Sequence, residues 1–286
     1  MRTFFHSFCI FFLILSCKQD TSKNTMSNTI QAPITKQISK ELSKHNDIRV
    51  DEFYWLKDRE NQEVIDYLND ENNYYDAKTA HTKDFQNSLF EEMKSRIKED
   101  DSSVPYKFNG YWYITRYEKG KDYPIYTRKK ESLTATEELL FDCNKMAKGH
   151  SYFRLVGLNI SPDNERAAFT LDTIGRRQYT LYIKDLKSDK ILEDKVDNCT
   201  GGSTWANDNQ TLFYTLKNET TLRSEAVYRH KLGTSSSEDV LVFEEKDDTF
   251  GVGVYKTKSQ KYLVISSYST LTTEYQILDA NTPDGS

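Results

Sequence analysis

Proline and glycine are scarce in this 286-residue chain: 5 Pro and 11 Gly stand against 19 Tyr and 15 Phe. So few chain-breaking residues argue against linker-rich sequence and favour packed strands, where aromatic side chains fit well. Cysteine is sparse too. Cys9, Cys17, Cys143 and Cys199 are too few and too scattered for a disulfide framework. Cys9 and Cys17 lie near the N-terminus, so Cys143 and Cys199 are expected as buried small apolar groups rather than as a bridge. His6, His45, His81, His150 and His230 lack any spacing that would gather metal ligands on one helix or hairpin. No metal and no cofactor are expected. Positive charge is also short: a net charge of −5 gives no basic surface for phosphates, which excludes nucleic acid as a partner. With 37% hydrophobic and 29% charged residues, the composition is that of a soluble globular protein with one large domain or two ordinary ones.

Long apolar runs are missing as well, with one short exception. Arg2 precedes a nearly apolar run from Phe4 to Leu15, about a dozen residues against the ~20 that a membrane-spanning helix needs. The run fits the core of a secretory signal. Ile14-Leu15-Ser16-Cys17 ends it and resembles the lipobox of bacterial lipoproteins. That resemblance implies residues 1–17 as a signal peptide and lipid attachment at Cys17. It also implies a membrane anchor at the bacterial cell envelope. Residues 18–32, rich in Ser, Thr and Asn, would then be a polar tether. Two alternatives stay open: a chance Cys after an ordinary signal peptide, and a start at Met26, which would make the protein cytoplasmic.

Residues 33–103 are expected as an N-terminal helical segment. Val64, Leu68 and Tyr75 fall near helical spacing, and Phe85, Leu89, Phe90, Met93 and Ile97 form a clearer stripe. The simplest reading is a helix pair whose stripe is buried within the molecule. The other is an amphipathic segment that binds a partner.

After Pro105 the period changes, and residues 104–286 read as mainly β. Tyr111–Arg116 and Pro124–Arg128 flank the polar turn Glu118-Lys119-Gly120-Lys121-Asp122, which marks a hairpin. Glu138–Phe141 adds a strand. A unit of strand, polar turn, strand, loop and strand then recurs around Ser161-Pro162-Asp163-Asn164, Asn207-Asp208-Asn209-Gln210 and Thr257-Lys258-Ser259-Gln260. The turns stand roughly 45–50 residues apart, the length of one propeller blade. Counting the first hairpin, about four blades are expected.

Several stretches resemble the prolyl oligopeptidase family of serine peptidases, in its oligopeptidase B branch. The most specific are Tyr54-Trp55-Leu56-Lys57-Asp58 and Lys98-Glu99-Asp100-Asp101-Ser102-Ser103-Val104-Pro105. Gly110-Tyr111-Trp112-Tyr113, Tyr123-Pro124-Ile125-Tyr126, Ser161-Pro162-Asp163, Trp205-Ala206-Asn207-Asp208 and Tyr228-Arg229-His230-Lys231-Leu232 follow in family order. The match runs from about Pro33 to the end. It implies a seven-bladed propeller capping an α/β-hydrolase domain with a Ser-Asp-His triad. The N-terminal segment would pack on that domain. Such enzymes cut short peptides after Lys or Arg, and the propeller restricts access to them.

On that comparison the chain is expected to hold about four of seven blades and to lack the hydrolase domain. The family's serine stands in a Gly-x-Ser-x-Gly elbow, with the Asp and His later in sequence. Gly201-Gly202-Ser203-Thr204-Trp205 lacks the second flanking glycine and starts a strand. Asp172, His150 and His230 have no positional claim to the triad. No catalytic residue is assigned, the chain alone is expected to be inactive, and peptide substrates would be reached through the missing domain. Two other readings remain: a propeller-like binding module at the cell surface without activity, and a half-propeller that joins a separately encoded catalytic half.

Overall fold

The structure, a computed structural model, describes residues 30–285. Cys17 and the leader lie outside the described residues. The chain divides into two compact units between Ile97 and Lys98.

The first unit opens with an antiparallel hairpin, β1 (Lys40–Lys44) and β2 (Asp47–Asp51), in which Lys44 pairs with Asp47. His45 and Asn46 turn the chain with φ of 54° and 62°, the left-handed pair that a two-residue hairpin turn needs. The sequence reading took this stretch as part of a helical segment. The two helices do form: α1 (Gln62–Thr79) and α2 (Lys83–Ser95), joined by the 3-10 turn Ala80–Thr82. Asn61 caps α1 by accepting the Glu63 N–H at 2.9 Å. The apolar stripe, however, is not buried. Phe85, Phe90, Met93 and Ile97 are more than half exposed, and Val64 alone of α1 is buried. Periodicity selects an apolar face but not what covers it.

The second unit consists of blades. β3 (Tyr106–Phe108), β4 (Tyr111–Arg116), β5 (Ile125–Lys130) and β6 (Glu137–Asp142) form the first, followed by a short helix, α3 (Cys143–Met146). β7 (Arg154–Ile160), β8 (Arg166–Asp172) and β9 (Tyr179–Asp185) begin the second. β10 (Lys190–Trp205) serves two blades: its front pairs with β9, and its back pairs with β11 (Thr211–Lys217). Register slips at Ile191/Lys195, Val196/Cys199 and Cys199/Ser203 let one strand bend from an outer to an inner position. β12 (Ser224–Lys231) and β13 (Val240–Glu244) complete the third blade. β14 (Gly251–Lys256), β15 (Tyr262–Tyr268) and β16 (Thr273–Asp279) form a fourth of three strands. Among the described residues the blades do not close into a ring, as the mainly β, partial-propeller reading expected.

Side-chain alternation explains why these strands stack. Blades are covered on both faces, so successive residues enter successive cores. On β8, Ala167 and Phe169 join the core between blades one and two, whereas Ala168 faces that between blades two and three. On β11, Leu212 and Tyr214 face back, and Phe213 faces forward onto Val227, Val252 and Leu263. Cys143 and Cys199 are free and buried in these cores.

Corresponding turns are also tied to one another. Asn109 Nδ2 donates to Pro162 O at 2.5 Å, Asp163 N to Asn209 Oδ1 at 2.9 Å, and Asn207 Nδ2 to Gln260 O at 3.0 Å. Asn109, Asn164, Asn209 and Gln260 each adopt a positive φ, which Asn tolerates better than most residues. Three of the polar turns seen in sequence therefore form, with the Asn109–Gly110 turn of the first blade, a hydrogen-bonded rail from blade to blade.

Candidate functional site

The inner strands of blades two, three and four border a cavity of about 570 Å3 next to that rail. Its wall includes Asn159 of β7, Ser203 and Thr204 of β10, Asn207, Tyr255 and Lys256. Two bulges set its shape. β7 slips between Val156 and Asn159, and β10 slips between Cys199 and Ser203. At these bulges Gly157 (φ +65°) and Gly201 (φ +102°) bring the two backbones together. Beyond the bulges, Asn159 Nδ2 donates to Ser203 O at 2.9 Å, and Trp205 Nε1 donates to Asn159 O at 3.1 Å.

Lys256 Nζ donates to Asn207 Oδ1 at 2.8 Å. Asn207 is itself fixed, its amide nitrogen donating to Gln260 O and Asn281 Oδ1 and its backbone N–H to Ala280 O. Burial pushes the Lys256 ammonium down to about 8, against the smaller upward pull of the Asp208 carboxylate. Ser203 Oγ is buried with no hydrogen-bond partner. An activated serine needs a base within hydrogen-bond reach, and Ser203 has none.

The other residues weighed from sequence sit apart. His150 lies tilted against Phe153, with ring centroids 6.2 Å apart. Asp172 accepts backbone N–H bonds from Ile174, Gly175 and Arg177 at 2.8–2.9 Å. Burial works against its charge, but these bonds hold its carboxyl below the usual range. It fixes a loop. His230 is buried between two carboxylates, with Nδ1 2.7 Å from Asp239 and Nε2 3.1 Å from Asp194. Tyr214 Oη donates to the other Asp239 oxygen at 2.7 Å, and Gly233 N donates to Asp194 at 2.6 Å. With both ring nitrogens facing acceptors, the imidazole donates twice and carries its charge. Neither nitrogen is left to act as a base. No sequence signal marked this cluster, because its carboxylates come from β10 and from the loop before β13.

The proteins that this chain resembles carry peptidase names. The family description "Prolyl oligopeptidase, N-terminal beta-propeller domain" matches residues 33–285. This chain belongs to the prolyl oligopeptidase family. This chain is 40% identical over 256 residues to "Dipeptidyl aminopeptidase BI" of Pseudoxanthomonas mexicana, covering 84% of this chain and 35% of that protein. It is 36% identical to "Protease 2" of Moraxella lacunata, covering 84% and 36%. Among solved structures, oligopeptidase B from Leishmania major superposes with a TM-score of 0.81 at 32% identity, covering 90% of this chain and 38% of that one. The chain thus spans just over a third of the length of these two curated relatives. No helix among the described residues is long and apolar enough to cross a membrane.

Proposed function

We propose that this propeller is the access-limiting part of an oligopeptidase B-like serine endopeptidase that cuts short peptides after Lys or Arg. The observation that carries the reading is the superposition on oligopeptidase B over 90% of the chain. Acyl transfer in such an enzyme needs a serine nucleophile, a histidine base and oxyanion donors in one constellation. The described residues assemble none, so residues 1–286 alone are inactive on this reading. The exposed face of α2 suits burial against a catalytic domain, because exposed apolar side chains gathered on one face mark an interaction surface.

The test is hydrolysis of an N-blocked arginyl amide by residues 1–286 and by the gene's whole product. The expected result is no turnover by the first and turnover by the second. Turnover by residues 1–286, or none by a whole product containing a Gly-x-Ser-x-Gly elbow, would overturn the proposal. A second reading, removal of dipeptides from a free N-terminus, is favoured by the 40% identity to a dipeptidyl aminopeptidase. It requires the blocked substrate to be inert and the unblocked one to be cut.

The lipid anchor at Cys17 belongs to the same proposal and places the enzyme at the cell envelope. Cells fed a labelled fatty acid are expected to label the protein, and Cys17→Ser is expected to abolish the label. Equal labelling of the two would remove the anchor from the account.

A further inference from the structure

We propose that the cavity bordered by β7, β10 and β14 is a subsite for the C-terminal carboxylate of a short peptide. Lys256 is the cation that meets it. The peptide nature of the ligand rests on the peptidase reading above; the anion site does not.

Charge is the first argument. Lys256 is the one charged side chain among the lining residues, and no Asp or Glu accompanies it. Its partner is the neutral amide oxygen of Asn207, which takes one of three ammonium protons. Three other buried or half-buried cations of this unit differ, whereas Lys217 likewise meets only a neutral carbonyl, that of Arg177. Arg128 meets Glu138, Lys184 meets Asp189, and Arg223 meets Glu225. Asp208, the carboxylate that bears on Lys256, already accepts from Gln210 N, Thr211 N and Thr211 Oγ1 at 2.7–2.9 Å. A partly buried cation without a counter-ion is unfavourable, and an incoming carboxylate relieves it.

Shape is the second. The volume, about 570 Å3, lies within the range of roughly 300–1,000 Å3 typical of small-ligand sites. Ile160, Val254 and Tyr255 supply apolar wall beside the polar end. A peptide terminus offers that same pairing of carboxylate and side chain.

The test is calorimetric titration of the full chain with N-acetyl-triglycine and with its C-terminal amide at pH 6.5, where Lys256 holds its proton. A charge-assisted contact predicts that the acid binds at least about tenfold more tightly than the amide. Lys256→Met, which keeps the aliphatic stem, is expected to erase that difference. Gly202→Phe tests the cavity without touching Lys256, because a Cβ at Gly202 meets nothing within 4 Å; it is expected to block the acid. Equal binding of acid and amide, or an undiminished preference in folded Lys256→Met, would overturn the subsite. Inorganic phosphate or acetate binding as tightly as the peptide acid would overturn the peptide assignment. Because the readout is binding, an inactive whole gene product would sink the peptidase reading and leave this measurement standing.

Discussion

Replacing His230 with leucine is expected to destabilise the propeller by about 3–5 kcal/mol, the usual result of removing one partner from a buried ion pair. The side chains of His230, Asp194 and Asp239 are 1%, 8% and 2% exposed. The imidazolium spans the two carboxylates, while the Tyr214 hydroxyl and the Gly233 N–H take up remaining oxygen lone pairs. Leucine fills a similar volume but leaves two carboxylates buried without their cation. The loss falls on the third blade, because the cluster ties β10, β11 and β12 to the loop that leads into β13. Thermal melting followed by circular dichroism should fall by about 6–20 °C, at roughly 2–4 °C per kcal/mol for a unit of this size. A drop of only a degree or two would mean that the cluster contributes little.

The same cluster makes stability depend on pH in a defined direction. Burial lowers the proton affinity of His230, but its hydrogen bonds to Asp239 and Asp194 outweigh burial and hold it above its ordinary value. Burial likewise pushes the Tyr214 phenol up, so it stays a neutral donor to Asp239. A raised folded value means that the native state binds the proton more tightly than the unfolded chain does. The resulting stability is fully present below the unfolded value of about 6.5 and is lost as pH rises through the folded value. Melting temperatures of the wild type should therefore decline on the alkaline side of neutrality. His230→Leu should lack that component. Parallel profiles for the two proteins would refute the assignment.

Sequence and structure agree where the signal is local. The turns at Ser161–Asn164, Asn207–Gln210 and Thr257–Gln260 stood out as polar interruptions between apolar runs, and each is a strand connection. Blade spacing followed from them. The hairpin at His45–Asn46 escaped because neither residue belongs to the glycine-containing pairs that announce such turns. The length of β10 escaped because three register slips erase the two-residue period within it. The stripe on α2 was legible as amphipathic, yet its exposure was not, since a pattern of residues does not specify a neighbour. The clusters escaped for a different reason. His230 lies 36 residues from Asp194 and 9 from Asp239, on separate elements. Lys256 and Asn207 are 49 apart. Only tertiary packing joins them, and no local spacing rule marks such groups.

Blade-to-blade contact also makes Gly157 the most demanding position in the inner strands. Gly157→Ala is expected to lower stability by about 3 kcal/mol or more, combining a left-handed backbone imposed on a side chain with an overlap that must be relieved. Gly157 has φ of +65°, and an added Cβ would lie 2.2 Å from the Gly201 carbonyl oxygen and 3.0 Å from its carbon. Those atoms are backbone, so no side chain can swing aside. Relief requires β7 and β10 to separate. That separation strains the Asn159–Ser203 and Trp205–Asn159 hydrogen bonds at the cavity wall. Loss of stability should therefore come with weaker binding of N-acetyl-triglycine, a coupling that a purely local defect would not produce. Gly202→Ala is the matched control: its φ is not in the left-handed range, and its Cβ meets nothing within 4 Å. It should change stability by no more than about 0.5 kcal/mol, as ordinary surface substitutions do. Equal melting of the two variants would show that the inner strands tolerate separation, and that the close approach of Gly157 to Gly201 does not set the shape of the cavity.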